Sequence, residues 1–338
     1  MKRRATIKDV AERAGVSKAA VSYVLNDIRK VSAETKARVL QAASELDYQP
    51  DFTARSLTKR TSNMIGVILP LVDASIANVM QENTYYNEMI SAIEKVAREN
   101  GFDVLLTGLA RPEEYRNWVQ KRRLDGLLFL GLFPASIYAE MRSMEVPAVL
   151  IDTYEEHTGK YPSVNINDEK GGFLAAEHLL SLGHENIAFL TTGLENPVEV
   201  HRYKGFTRAF QERGMTVPSP ETAETTHRLE SGWMIGKKLA GSSRTAIVCT
   251  SDITAFGVIR ALYEAGVRVP EDVSVTGFDD IHISRYTTPS LTTVRQHIMQ
   301  KGTAAAEKLI ETMKGHPAAG ETFDVKLVIR ESTAPPKQ

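Results

Sequence analysis

Cysteine occurs once in the 338 residues, at Cys249. An internal disulfide is therefore impossible, and no cysteine cluster is there to hold zinc. Long hydrophobic runs are also missing. No apolar stretch approaches the roughly 20 residues needed to span a bilayer. The start, MKRRATIKDV, is basic but no apolar segment follows it, which argues against a secretory signal and for a cytoplasmic protein. Catalytic signatures are absent too: the chain has no GxxxxGK[ST], GxGxxG, GxSxG or HExxH. Cys249 lies in an apolar strand pattern, which disfavours a reactive thiol. The expectation is a chain with no catalytic residues, no cofactor and no metal site.

What the chain does have is the composition of an ordinary globular protein, 42% hydrophobic and 25% charged, with length for two or three domains. The net charge of −1 hides an asymmetry. Residues 1–60 carry 13 Lys and Arg against 7 Asp and Glu, and the remainder carries 28 against 35. A small basic end on an acidic body suggests that only the end meets a polyanion.

That end reads TIKDVAERAGVSKAAVSYVLN over Thr6–Asn26. Thr6 is a plausible N-cap, and Asp9 three residues on completes a capping box. Ile7, Val10, Ala11 and Ala14 share one helical face. Gly15 supplies a tight turn, and Ser17 caps a second helix that buries Val21, Val24 and Leu25. A third helix is expected over Ala33–Leu46, capped by Ser32, with Val39, Leu40, Ala43 and Leu46 on its apolar face. The spacing is that of a helix-turn-helix, which lays its second helix in the major groove of DNA. Pro50 closes this unit. The short FTARSL segment (52–57), capped by Asp51, and the polar LTKRTSN then read as a marginal helix and a linker.

From Asn63 the pattern becomes strand–helix alternation. One series of strands is MIGVIL (64–69), DVLLT (103–107), GLLFL (126–130) and AVLID (148–152). The other is IAFLTT (187–192), AIVCT (246–250) and VSVTGF (273–278). The clearest helix between them is Glu88–Asn100. Two such series imply two doubly wound parallel sheets, whose ligands bind at the carboxyl ends of the strands. Pro70, Asp152, Gly193, Ser251-Asp252 and Asp279-Asp280 stand near those ends. The tail STAPPKQ reads as mobile.

These residues resemble the LacI/GalR family of bacterial transcriptional regulators over almost the whole chain. The markers are TIKDVAERAGVS, the ARSL after Tyr48-Gln49-Pro50, LDGLLFLG, LLSLGHENIAFLTTG, HRYKGFTRAF, SDITAFG, GVRVPEDVSVTGFDD and TTPSLTTVRQ. The resemblance implies a three-helix headpiece (1–49), a hinge helix with linker (50–62) and a two-lobed, periplasmic-binding-protein-like sensor (63–338). The N-terminal lobe is then expected at 63–163 and 291–322, and the C-terminal lobe at 164–290 and 323–332, with crossings near 163, 291 and 322. It also implies a homodimer on a roughly palindromic operator, in the bacterial cytoplasm at the nucleoid.

By the same resemblance, Lys18, Ala19 and Tyr23 face base edges, and Ser22 and Asn26 contact the phosphate backbone. Thr6, Ser17 and Ala54 complete the DNA-contacting set, and Leu57 wedges into the minor groove. The implied effector contacts are Tyr86 beside Tyr85, Asp152, Arg202, His227 at an aromatic stacking place, Ser251 and Asp279, with Asp252 bracing a loop. Trp233 matches a core aromatic. The stretch 71–84 is longer than the family's loop and either lids the cleft or reshapes the dimer surface. An aromatic, arginine and aspartate together suit a neutral sugar or sugar derivative, with a nucleobase as the alternative. The rival readings are a catalyst, a sugar-binding or transport protein, and a nonspecific DNA-bending protein, which would need no cleft. The lack of catalytic motifs disfavours the first, and the headpiece disfavours the second.

Overall fold

The computed structural model describes the chain except residues 1–4, 27–30, 49–60, 72–74, 83, 155–159, 223–227 and 338. It divides into two compact units, Met1–Asn63 and Met64–Gln338. The hinge residues Ala54 and Leu57 and the cleft candidate His227 lie outside the described residues.

In the first unit, α1 (Ile7–Ala14), α2 (Lys18–Asn26) and α3 (Ala33–Glu45) pack around Val10, Val21, Val24 and Val39. The caps are those expected. The Thr6 hydroxyl accepts from the Asp9 N–H while the Asp9 carboxylate accepts from the Thr6 N–H at 2.7 Å. Gly15 takes φ 64°, the Ser17 hydroxyl accepts from the Ala20 N–H, and Ser32 caps α3. One expectation fails: Leu40 is 48% exposed, and the small Ala42 takes the core position instead. Three short helices leave a core only a few side chains wide, so α1 and α2 approach α3 along its alanines.

The second unit holds two six-stranded sheets. β1 (Met64–Pro70), β2 (Asp103–Leu109), β3 (Gly126–Leu130), β4 (Ala148–Ile151), β5 (Ser163–Ile166) and β11 (Glu321–Phe323) form one, ordered β11-β5-β4-β3-β1-β2. β6 (Ile187–Thr191), β7 (Glu221–Thr222), β8 (Ala246–Cys249), β9 (Ser274–Asp279), β10 (Thr292–Arg295) and β12 (Lys326–Val328) form the other, ordered β12-β10-β9-β8-β6-β7. Each repeats the doubly wound order in which the strand sequence reverses beside the first strand. The first sheet is parallel throughout, whereas β12 runs antiparallel to β10.

Sheet membership corrects the lobe boundaries. β5 still pairs in the first sheet, so the first crossing follows Ile166 and does not fall near 163. β10 pairs with β9 in the second sheet, so the second crossing follows Arg295 and does not fall near 291. The third follows Phe323, close to the expected 322. The expected mobile tail is also corrected. Ser332 exchanges backbone and hydroxyl hydrogen bonds with Val275, and the Ala334 carbonyl accepts from Ser274 Oγ at 3.0 Å.

The helices are α4 (Ile76–Glu82), α5 (Thr84–Glu99), α6 (Pro112–Arg122), α7 (Ala135–Met144), α8 (Asp168–Ser181), α9 (Pro197–Glu212), α10 (Arg228–Leu239), α11 (Asp252–Glu264) and α12 (Ile298–Met313). Two pairs in the C-terminal lobe meet through glycine. A Cβ on Gly172 or Gly205 would strike the backbone of the facing helix in the α8–α9 pair, and Gly232 and Gly257 do the same for α10–α11. Backbone-to-backbone approach of this kind fixes α8 and α9 as one block. That block carries Asp168 and Arg202.

Candidate functional site

A cleft of about 340 Å³ opens between the lobes, over the carboxyl ends of both sheets. Pro70 at the end of β1 and Gly131-Leu132 after β3 flank the reversal point of the first sheet, and Thr192 and Ser251 flank that of the second. Asp152 follows β4 and Asp279 ends β9. Both take positive φ, 57° and 117°, so the chain turns sharply where each carboxylate is presented.

Of the proposed effector residues, Tyr86, Asp152, Arg202, Ser251 and Asp279 all line this cleft, as does Tyr85. Tyr85 packs edge-on to Tyr86 with ring centroids 5.3 Å apart, and its hydroxyl donates to Asp152 Oδ2 at 2.5 Å. Burial pushes the Tyr86 phenol up to about 12. Ser251 Oγ accepts from the Thr254 N–H, so its first duty is to cap α11. Arg202 is held on three sides. Its Nε donates to Asp168 Oδ1 at 2.6 Å, a terminal nitrogen donates to the Thr250 carbonyl at 2.5 Å, and the guanidinium lies 3.5 Å from the Phe278 ring centroid. An arginine so fixed is a preorganised donor for hydroxyls.

Burial raises the Asp279 carboxyl to about 6, against the lowering pull of Arg202, Arg228, the Gln296 amide and Lys301. One of its oxygens accepts from Gln296 Nε2. Asp252 has a different task, as expected. It is fully buried and accepts from the Ile281 N–H, Ser284 Oγ and Thr293 Oγ1, which ties down the loop after β9. Asp280 turns away to Arg295 and Arg330, both at 2.5 Å.

Four residues that the sequence reading passed over complete the site. Arg228 lines the cleft next to the undescribed 227 and reaches Glu199 at 3.3 Å. Glu199 is wholly buried, and burial pushes its carboxyl up; Arg228 and the hydroxyls of Thr191 and Thr192 outweigh that and hold it low. Gln296 lines the cleft, and Lys301, fully buried, holds it from behind at 2.8 Å. A lysine in the middle of the apolar face of α12 was the available signal. The long 71–84 segment contributes α4, whose Val79 lines the cleft. Trp233 departs from its expected core place. It is half-exposed, donates from Nε1 to Glu264 at 2.9 Å, and carries Lys237 above its ring.

In the first unit, Lys18 and Ala19 stand exposed at the start of α2, with Ser22 and Tyr23 half-buried a turn later. Thr6 and Ser17 are exposed and spend one lone pair each on capping. Asn26 ends α2, and its side chain lies outside the described residues. Among the described residues no group of His, Cys, Asp or Glu is placed to hold a metal ion, and no helix is long and apolar enough to cross a membrane.

Two families match this chain: bacterial regulatory proteins of the lacI family over residues 6–51, and a periplasmic binding protein-like domain over 176–333. The HTH-type transcriptional repressor PurR of Histophilus somni is 33% identical over 340 residues, 97% of this chain and 98% of its own length. That of Pasteurella multocida is 34% identical with the same coverage. Among solved structures, the Lac repressor dimer bound to operator and the anti-inducer ONPF superposes with a TM-score of 0.84 at 28% identity, covering 98% of this chain and 100% of that one. An Enterococcus faecium LacI family regulator with bound ribose superposes at 0.71 and 28% identity, over 81% of this chain and 100% of its own.

Proposed function

The chain belongs to the LacI family of bacterial regulatory proteins, and within it we propose a homodimeric repressor of a roughly palindromic operator whose grip is set by a sugar-class effector in the interlobe cleft. The observation that carries the effector class is the charge balance of the cleft wall. Arg202 and Arg228 stand against Asp152 and Asp279, with the Ser251 and Thr192 hydroxyls and the Tyr86 ring between them. Cations and carboxylates in equal number suit a neutral ring bearing several hydroxyls, each of which can both donate and accept. The buried aspartates oppose a multiply phosphorylated ligand. The ribose-bound relative supports the same class.

Sequence is read by Lys18, Ala19 and Tyr23 from α2, while Thr6, Ser17, Ser22 and Asn26 anchor to phosphates. Leu57, with Ala54, acts as a minor-groove wedge at the dimer axis. The effector acts by preferring one lobe arrangement over the other, since only differential affinity shifts such an equilibrium.

A thermal-shift screen of sugars and nucleobases, repeated with operator DNA present, tests the effector class. A ligand at about 100 times its Kd adds about 2.7 kcal/mol of stability, which is visible as several degrees. A shift with a nucleobase and with no sugar overturns the sugar reading. Unchanged specific operator affinity of Leu57→Ala at fixed salt would sink the wedge.

A further inference from the structure

Lys301 is fully buried on the face of α12 that otherwise presents Ile298, Ala305 and Leu309 to the core. An ammonium there costs several kcal/mol unless it is paired. Its Nζ donates to Asp152 Oδ1 at 2.6 Å and to Gln296 Oε1 at 2.8 Å, and it lies 5.2 Å from the Tyr85 ring centroid. Gln296 in turn donates from Nε2 to Asp279. The series Tyr85–Asp152–Lys301–Gln296–Asp279 therefore begins in the N-terminal lobe and ends in the C-terminal one. Gln296 sits on the second crossing itself, between β10 and the His297 turn at φ 52°.

Chemistry fixes the polarity of this series. An ammonium only donates, so Gln296 must offer Lys301 its oxygen, and its NH₂ is then left for Asp279. Without the ammonium, only the Asp279 carboxylate selects that orientation, and Asp279 loses that hold as it is protonated. We infer that Lys301 is a positioning residue for effector sensing: through Gln296 it ties Asp279 of one lobe to Asp152 of the other and sets which Asp279 oxygen the cleft leaves open. Asp152 gives both oxygens to this series, Oδ2 to Tyr85 and Oδ1 to Lys301, whereas Asp279 gives one. A ligand competing for Gln296 or for the Asp279 oxygen loosens the link between lobes as it binds. The inference rests on the cleft being the effector site for its consequence, but the link itself exists without effector and is tested without one.

The test is hydrogen exchange read by mass spectrometry on the effector-free, full-length protein. Three variants are compared with the parent: Lys301→Met, Asp152→Asn/Lys301→Met, and Gln296→Met. The double variant removes the buried charge pair together and keeps the packing, so it guards against simple misfolding of the single one. Amides of 278–283 and 150–154 should exchange about tenfold faster or more in all three variants, with β3 and β8 unchanged. If Lys301 merely neutralises Asp152, the double variant returns to the parent's rates and the inference fails. It fails equally if Gln296→Met leaves 278–283 protected, or if exchange rises as much in β3 and β8 as at the cleft.

Discussion

Replacing Asp279 by asparagine should change how stability depends on pH, because burial raises this cleft carboxylate into the accessible range. Burial lifts it from 3.8 to about 6. Facing it are Arg202 from α9, Arg228 from α10, Lys301 from α12 and the like-charged Asp252 from α11. The rise corresponds to on the order of 3 kcal/mol of ionisation cost in the folded state. A carboxyl with a raised folded pKa contributes stability that is fully present below the unfolded value. That contribution is lost as pH climbs through the folded one. Most of the loss falls between pH 4 and 6, and about 1.4 kcal/mol of it lies above pH 5. Asp252 is pushed upward by burial and further by the Asp279 charge, so its ionisation adds to the same trend.

Asparagine keeps the oxygen that accepts from Gln296 but cannot ionise. The counter-charge to Arg202 and Arg228 that the variant lacks appears in the parent only as Asp279 ionises, and its pull is already contained in the raised value near 6. The observable is therefore the difference between the two melting curves, followed from pH 5 to 7.5. The parent should lose about 3–5 °C relative to Asp279→Asn across that range, given roughly 2–4 °C per kcal/mol for a unit of this size. His178 and His184, both lowered chiefly by burial, are present in both proteins and cancel. A difference that stays constant over the range would refute the assignment of Asp279 as a carboxylate kept partly protonated by burial.

Arg202→Met should cost about 3–5 kcal/mol in urea denaturation, because Asp168 is left buried without its cation; Asp168→Asn/Arg202→Met should recover most of it. Gly205→Ala should cost about 1–3 kcal/mol or more by forcing α9 away from the Glu169 carbonyl, whereas Gly241→Ala, with open space around it, should be near neutral in the same melts. Thr6→Ala should cost the headpiece about 1 kcal/mol through loss of the α1 cap, read as a lower melting temperature of the headpiece transition.

Much of this was legible in the sequence for identifiable reasons. Parallel strands covered on both faces must be apolar throughout, so GLLFL and AIVC announce themselves by composition. Asp152 and Asp279 stand out as charges placed directly after such runs. The sheet to which β5 and β10 belong was not legible, because SVNI and TTVR satisfy either lobe, and the crossings were placed three or four residues early. Lys301 was missed for a deeper reason. Helical periodicity scores apolar positions and treats a lysine among them as an interruption, while its partner Asp152 lies 149 residues away. Only the strand order brings the two together. The tail was misread because its anchors are backbone groups and hydroxyls, which leave no hydrophobic trace.

The buried carboxylates of the C-terminal lobe divide by whether their oxygens are already spent. Glu199 is taken up by Thr191, Thr192, Thr250 and Arg228, Asp252 by the loop after β9, and Asp280 by two arginines. Each locks one strand end to its neighbours, and glycine contacts lock α8 to α9 and α10 to α11. A lobe built this way deforms little, so rearrangement concentrates at the crossings after Ile166, Arg295 and Phe323. Tyr154 spans the first, its ring stacked on His201 at 4.5 Å and its hydroxyl donating to Asp168. Gln296 spans the second. Asp168 also holds Arg202, and Gln296 also holds Asp279, so the two cleft groups best suited to a ligand's hydroxyls are each one bond from a crossing. A ligand that pulls on either one acts directly on the joints about which the lobes turn. That arrangement lets a ligand in the cleft bear on the crossings without requiring the lobes themselves to change.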